Sequence, residues 1–353
     1  MTQARTTPTG VRLRSWIRKE GFLLALVGAV ALASAWPDLG RSGGLLRLET
    51  VSNWGVALVF FLTGLGLSTA ALRDGALKWR VHLLVQLSTY ALFPLLWWGF
   101  TALLGRWLPP DLALGFAYLC ALPSTISSSV ALTVLAKGNV PAAIFNASAS
   151  SLLGIVLTPL LVTLMAGTSG ATLPLGEAVW KLTQLLLLPL VAGQLLRPLL
   201  LGFHTRHKAR LSLVDRWVII LLVLSAFSDS VASGLWRDHG AELLIKAAVG
   251  AALFLGVVVV LSRAAARAMG MPVEDEIAAV FCGSKKTLAS GVPMAKLLFG
   301  THPAVGVIVL PIMFYHQLQL ILCSWLAQRY AARPDVRDDV RDGGRDGAPS
   351  ARA

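Results

Sequence analysis

Ten times along the chain an apolar run long enough, or nearly long enough, to cross a bilayer is followed by a short polar break. That recurrence constrains the fold more than any single residue. About 20 consecutive apolar residues span the hydrocarbon of a membrane as a helix, and lipid offers no hydrogen bonds to backbone left outside one. The runs lie at roughly 21–36, 51–70, 79–104, 112–136, 140–166, 175–196, 216–234, 241–262, 276–299 and 302–329. Of the 353 residues, 56% are hydrophobic and 14% charged. A water-soluble domain carries about 25% charge, so a soluble core is excluded as an explanation.

The excess of basic residues, a formal +13, would point to nucleic acid in a soluble protein. Here it reads as topology, because Lys and Arg gather in cytoplasmic connections. With the N-terminus inside, the inner segments receive Arg5, Arg12, Arg14, Arg18 and Lys19, then Lys78, Arg80 and Lys137. Arg206, Lys208, Arg210, Arg263, Arg267 and the arginines of the tail follow the same parity. The outer segments hold Arg41, Arg47, Arg106 and Arg237. The first run is read as a retained helix, not a cleaved signal, since Pro37 and charges follow it without a small-residue cleavage pattern. The expected organisation is a cytoplasmic segment 1–20, a ten-helix domain 21–330 and a disordered cytoplasmic tail 331–353 rich in Arg, Asp and Gly. Cys120, Cys282 and Cys323 all fall within apolar runs and read as reduced packing residues, with no metal site or disulfide among them.

Five plus five spans admit an internal duplication of opposite orientation, about 21–166 and 175–330. The fourth span of each half is where the two correspond. In the first, LCALPSTISSSVALTV places Pro123 at the centre, followed by Ser124, Thr125, Ser127, Ser128 and Ser129. Proline removes a donor and clashes with the preceding turn, releasing carbonyls that hydroxyls or an ion can satisfy. A merely kinked helix, with Ser bonded to its own backbone, accounts for the same residues. In the second, FCGSKKTLASGVPMAKLLF contains Gly283, Ser284, Lys285, Lys286, Thr287, Ser290, Gly291 and Pro293. Matched Gly/Pro interruptions are a sequence pointer to a transporter binding site.

Lys285 and Lys286 are the sharpest feature, since each lysine at a span centre costs roughly 2.5–3.5 kcal/mol on insertion scales. A carboxylate, freed carbonyls, water or an anionic substrate must offset that, and a proton-carrying role is open to such a pair. Lys296, nearer the outer end, can snorkel. Asn146 and Ser148 in the fifth span and His316 and Gln317 in the tenth complete the candidate substrate and ion site. A nucleophilic Ser284–Lys285 pair fails on geometry, because sequence neighbours diverge on a helix, and Lys286-Thr287 lacks the glycines of a phosphate loop. The chain therefore reads as a non-enzyme.

The stretches FFLTGLGLSTAAL, LPSTISSSVALTVLAKGNVPAAIFNASASSLLGIVLTPLL, FCGSKKTLASGVPMAKLLF and MFYHQLQL resemble the bile acid:sodium symporter family, over roughly residues 15–330 and most closely its sodium/bile acid cotransporter 7-like subgroup. The resemblance implies an all-α membrane protein of ten transmembrane helices in two inverted five-helix repeats. Spans 1, 2, 6 and 7 would form a panel, spans 3–5 and 8–10 a core, and helices 4 and 9 would be interrupted and cross near the midplane. It implies two sodium ions there, held by Ser/Asn of span 4, hydroxyls of span 5, and Glu and Gln of span 9. Ser128 and Ser129 fit the hydroxyl positions. The glutamate position falls near Phe281 or Cys282, and the glutamine position at Lys285. No other cofactor is expected. Ammonium in place of carboxylate and amide repels sodium, so proton coupling through Lys285 or Lys286, or no coupling, is the expectation. The expected partner is a small organic, anionic solute carried across the plasma membrane, in a bacterium the inner membrane. A regulator of ion homeostasis that transports nothing, or a membrane-embedded enzyme, are the competing readings.

Overall fold

The computed structural model describes residues 24–41, 43–46, 48–67, 77–167, 180, 183–232, 236–300 and 302–333. The N-terminal segment and the tail beyond Arg333 lie outside the described residues, as do the expectations made of them. All regular structure among the described residues is helical. The helices are α1 (Leu24–Ala35), α2 (Leu48–Gly66), and α3, built of Trp79–Leu87, a π turn at Ser88–Leu92 and Phe93–Leu104. They continue with α4 (Pro110–Ala121), α5 (Ser127–Leu135), α6 (Val140–Gly167) and α7 (Leu188–Ala232). The last four are α8 (Trp236–Ala268), α9 (Val273–Gly283), α10 (Leu288–Phe299) and α11 (Val305–Ala331).

Among the described residues, five helices are long and apolar enough to cross a bilayer: Trp79–Trp107, Val140–Ala166, Thr183–Leu211, Gly240–Ala268 and Val305–Ala331. The fourth and ninth sequence spans each appear as two short helices joined by extended chain, α4 with α5 and α9 with α10. Each piece covers only about 14–18 Å at helical rise, and only the pair approaches membrane thickness.

The end of the sixth sequence span, from Leu188, and the seventh as far as Ala232 lie in one helical element, α7. Its contacts require a sharp bend. Gly64 of α2 packs on the Leu190 backbone, and Gly55 packs on the Val218 side chain. Nine residues of α2 cover about 14 Å, whereas Leu190 and Val218 would stand about 42 Å apart on a straight helix. Only a chain that turns back after Leu190 meets both, and Pro198 provides a place where the hydrogen-bond ladder is already broken.

The α2–α7 contact is backbone on backbone. A Cβ on Gly64 would sit 2.2 Å from the Leu190 carbonyl oxygen, and one on Gly193 2.2 Å from that of Phe61. Between apolar helices in lipid, such close approach replaces the hydrophobic effect as the source of attraction. Gln194 adds hydrogen bonds to the carbonyls of Gly64 (2.7 Å) and Leu67 (3.0 Å). The exterior is correspondingly greasy: Trp54, Leu103, Leu195, Leu199 and Ile321 are exposed, while Asp275, Glu276, Lys285 and Lys286 are buried.

Candidate functional site

The two interruptions meet in the interior. The fourth-span break runs from Leu122 to Ile126 with Pro123 inside it, and the ninth-span break occupies Ser284 to Thr287, immediately after Gly283. Gly291 and Pro293, expected to help break the ninth span, lie inside α10. Thr287 explains this, because its side chain accepts from the Ser290 N–H and caps α10 ahead of them.

The breaks hydrogen-bond to each other. The Thr287 N–H donates to the Pro123 carbonyl at 3.1 Å. Ser124 Oγ donates to the carbonyl of Cys282 (2.5 Å) and Ser129 Oγ to that of Phe281 (3.1 Å), both in the last turn of α9. The Ser124 N–H donates to Ser150 Oγ of α6 at 3.0 Å. Thr158 supports the Ala121 carbonyl, and Tyr118 donates its hydroxyl to the Gly291 carbonyl. Buried backbone groups outside a helix must find such partners or cost roughly 1–3 kcal/mol each.

Lys286 is the most fully bonded cation of the crossing. Its Nζ donates to the carbonyls of Leu122 (2.6 Å), Cys120 (2.9 Å) and Thr89 (2.9 Å), and lies 3.9 Å from the centre of the Phe93 ring. An ammonium has three hydrogens, so all are used. Its backbone N–H and carbonyl are held by the side-chain amide of Gln319 on α11, each at 2.9 Å. Lys285, equally buried, makes one hydrogen bond, from Nζ to the Ser128 carbonyl of α5 at 2.8 Å. The face of Phe281 lies 5.7 Å away.

The remaining candidates divide. Thr125 and Ser128 share a hydroxyl–hydroxyl contact at 2.5 Å, with Ser129 at 3.4 Å from Thr125. Ser290 Oγ bonds Thr287 Oγ1 at 3.1 Å. Ser284 bonds back to the Val280 carbonyl, while its own carbonyl accepts from Tyr315. His316 Nδ1 sits 3.0 Å from the Gln319 amide nitrogen. Ser127 is exposed and Gln317 half-buried, and neither makes a hydrogen bond to the crossing. Asn146 donates to the Ala142 carbonyl one turn back in α6, leaving its Oδ1 buried without a partner, as is Ser148 Oγ. Those two orphaned acceptors on α6, with Gln86 Oε1 nearby on α3, mark a polar lining beside the crossing, since Gln86 also bonds the Asn146 carbonyl. Among the described residues no three His, Cys, Asp or Glu side chains converge, and the oxygens bonded at the crossing are carbonyls and hydroxyls.

A second charged cluster was not legible as a unit in the sequence. At the N-terminus of α9, Asp275 accepts from Lys78 Nζ (3.0 Å) and Asn139 Nδ2 (2.7 Å). Glu276 takes Arg263 and Arg267 of α8, each at 3.2 Å, and the Tyr330 hydroxyl of α11 at 2.5 Å. Arg333 pairs with Glu274 at 2.6 Å and donates to the carbonyls of Ala136 and Lys137 that end α5. Negative side chains at a helix N-terminus are favoured by its dipole. Toward the other end of α10, Lys296 pairs with Asp229 of α7 at 2.6 Å and bonds Ser225, so it does not simply reach for the surface.

The sequence profile of the SBF-like CPA transporter family matches residues 20–332. A protein of Pseudomonas aeruginosa PAO1 named Uncharacterized protein PA2026 is 47% identical over 316 residues, 90% of this chain and 94% of that protein. YfeH of Escherichia coli K12 is 43% identical, over 88% of this chain and 92% of its own. Sodium/bile acid cotransporter 7 of Rattus norvegicus is 32% identical, over 90% of this chain and 94% of its own.

Proposed function

Since this chain belongs to the SBF-like CPA transporter family, we propose that it is a secondary active transporter of an organic anion, working by alternating access around the crossing of its fourth and ninth spans. The observation that carries the reading is Lys285. Its ammonium is buried beside the crossing with one hydrogen-bond partner, leaving two donors for a ligand. A carboxylate, sulfonate or similar oxyanion would take them as charge-assisted bonds and neutralise the charge. The hydroxyls of Thr125, Ser128, Thr287 and Ser290 stand near as neutral donors, with the orphaned acceptors of Asn146 and Ser148 on the neighbouring helix.

In this reading the ten spans form two inverted five-helix repeats in the plasma membrane, both termini cytoplasmic. The paired interruptions, the bend of α7 between its two contacts with α2, and the parity of the basic residues support it. The relatives' name speaks of sodium and bile acid; for this chain the proposal is an organic anion without obligatory sodium, because two ammonium groups already stand at the crossing. Uptake of labelled organic anions into proteoliposomes, with and without a sodium gradient, tests it. Sodium-independent uptake that disappears in Lys285→Met is the expected result. Strict sodium dependence overturns the coupling, and unchanged uptake in Lys285→Met overturns the site.

A further inference from the structure

The three carbonyl oxygens that hold Lys286 owe nothing to the lysine. In α3 the π turn sends the Phe93 N–H to the Ser88 carbonyl, and the next residue, Pro94, has no N–H to offer. The Thr89 carbonyl is therefore released by α3's own sequence. In the fourth span the N–H of Ser124, which would close a helical turn on Cys120, goes instead to Ser150 Oγ. Leu122 is in extended chain, with its carbonyl outside any helical ladder. Two separate elements thus aim three oxygens at one point, 2.6–2.9 Å from Nζ, and the face of Phe93 closes a further side at 3.9 Å. Carbonyl rings of this kind replace the hydration shell of a monovalent cation in membrane proteins, and an aromatic face is attractive to positive charge.

We propose that this cage is a monovalent-cation site that the chain fills with its own tethered ammonium. Lys286 acts as a built-in, non-exchangeable cation that completes α3 and α4, while Lys285 is left to meet ligands. Shortening Lys286 should empty the cage without dismantling it, and the protein should then take up sodium or potassium from solution.

The test is the melting temperature of purified protein in detergent with NaCl, KCl or choline chloride at matched ionic strength, without any solute. Wild type is expected to melt identically in all three. Lys286→Ala is expected to melt lower in choline and to recover in sodium or potassium, with an upward shift that saturates with ion concentration. Lys286→Met, whose apolar chain fills the cage, should melt low in all three salts. A wild type stabilised selectively by sodium or potassium overturns the proposal. So does a Lys286→Ala protein indifferent to both ions or unable to fold in either, and so does an equal response in Lys286→Met, which would put the ion elsewhere. Melting is read without substrate, so its failure leaves the organic-anion reading standing, and loss of uptake leaves this one standing.

Discussion

Lys285 and Lys286 are neighbours in the chain, yet they bind opposite ends of the same break: Lys285 holds the Ser128 carbonyl of α5 beyond it, and Lys286 the carbonyls of Cys120 just before it and Leu122 at its start. Substitution should separate their roles. Lys286→Met leaves three buried carbonyls without a partner, at about 1–3 kcal/mol each. Lys285→Met removes one hydrogen bond and a costly buried charge. A strong fall in melting temperature is expected for the first, and a near-normal melt with abolished uptake for the second. Thermal melting followed by gel filtration, set beside uptake, checks both.

Glu276 is buried between Arg263, Arg267 and the Tyr330 hydroxyl. The arginines are substantially exposed, so water screens them and their share is small. The tyrosine is different, since its hydroxyl donates to a buried charge. Tyr330→Phe should destabilise by about 1.5–3 kcal/mol, and more than Arg267→Gln. A melting series of the two variants decides the ranking.

Lys296 of α10 and Asp229 of α7 form a 2.6 Å pair with 14% of each side chain exposed. Removing either partner takes the opposite charge away from a largely buried ionic group. Asp229→Asn and Lys296→Met should each cost more than their combination suggests, with a coupling of about 0.5–3 kcal/mol. A double-mutant cycle on melting temperature measures it. Additive losses would mean that the pair does not join α10 to α7 in solution.

Gly64 and Gly193 have no room for a methyl group, each facing a carbonyl oxygen 2.2 Å from where a Cβ would lie. Backbone cannot retreat as a flexible side chain can. Gly64→Ala and Gly193→Ala should both reduce the yield of folded protein, whereas Gly256→Ala, which faces open space, should not. Fluorescence-detected gel filtration of the three variants is sufficient.

Much of this architecture is readable in advance because lipid makes backbone hydrogen bonding obligatory. Apolar run length gives the helices, and Pro123 and the Gly283–Thr287 stretch give the breaks to within a few residues. The division between the lysines is not readable. Their ligands are carbonyls, which carry no residue identity, and periodicity does not say which carbonyls converge. The same limit hides the cluster at Asp275 and Glu276. Lys78, Arg263, Arg267 and Arg333 count as topology signals in the sequence, and only folding brings the first three onto the buried Asp275 and Glu276 and the last onto the exposed Glu274. Pro94 by itself points to the Tyr90 carbonyl four residues back, and it is the π turn over Ser88–Leu92 that moves the missing donor to Thr89.

The Cys120 carbonyl waits for an ammonium 166 residues further along the chain. During synthesis the ribosome therefore delivers the fourth span with its midpoint unfinished, into a bilayer that has nothing to offer it. The early half must be sheltered, by water, by the insertion machinery or by an incomplete helical detour, until the late half arrives. Biogenesis then has a checkpoint written into the backbone. Chains truncated before Lys286 should be retained by membrane quality control and degraded, however well their first five spans have inserted.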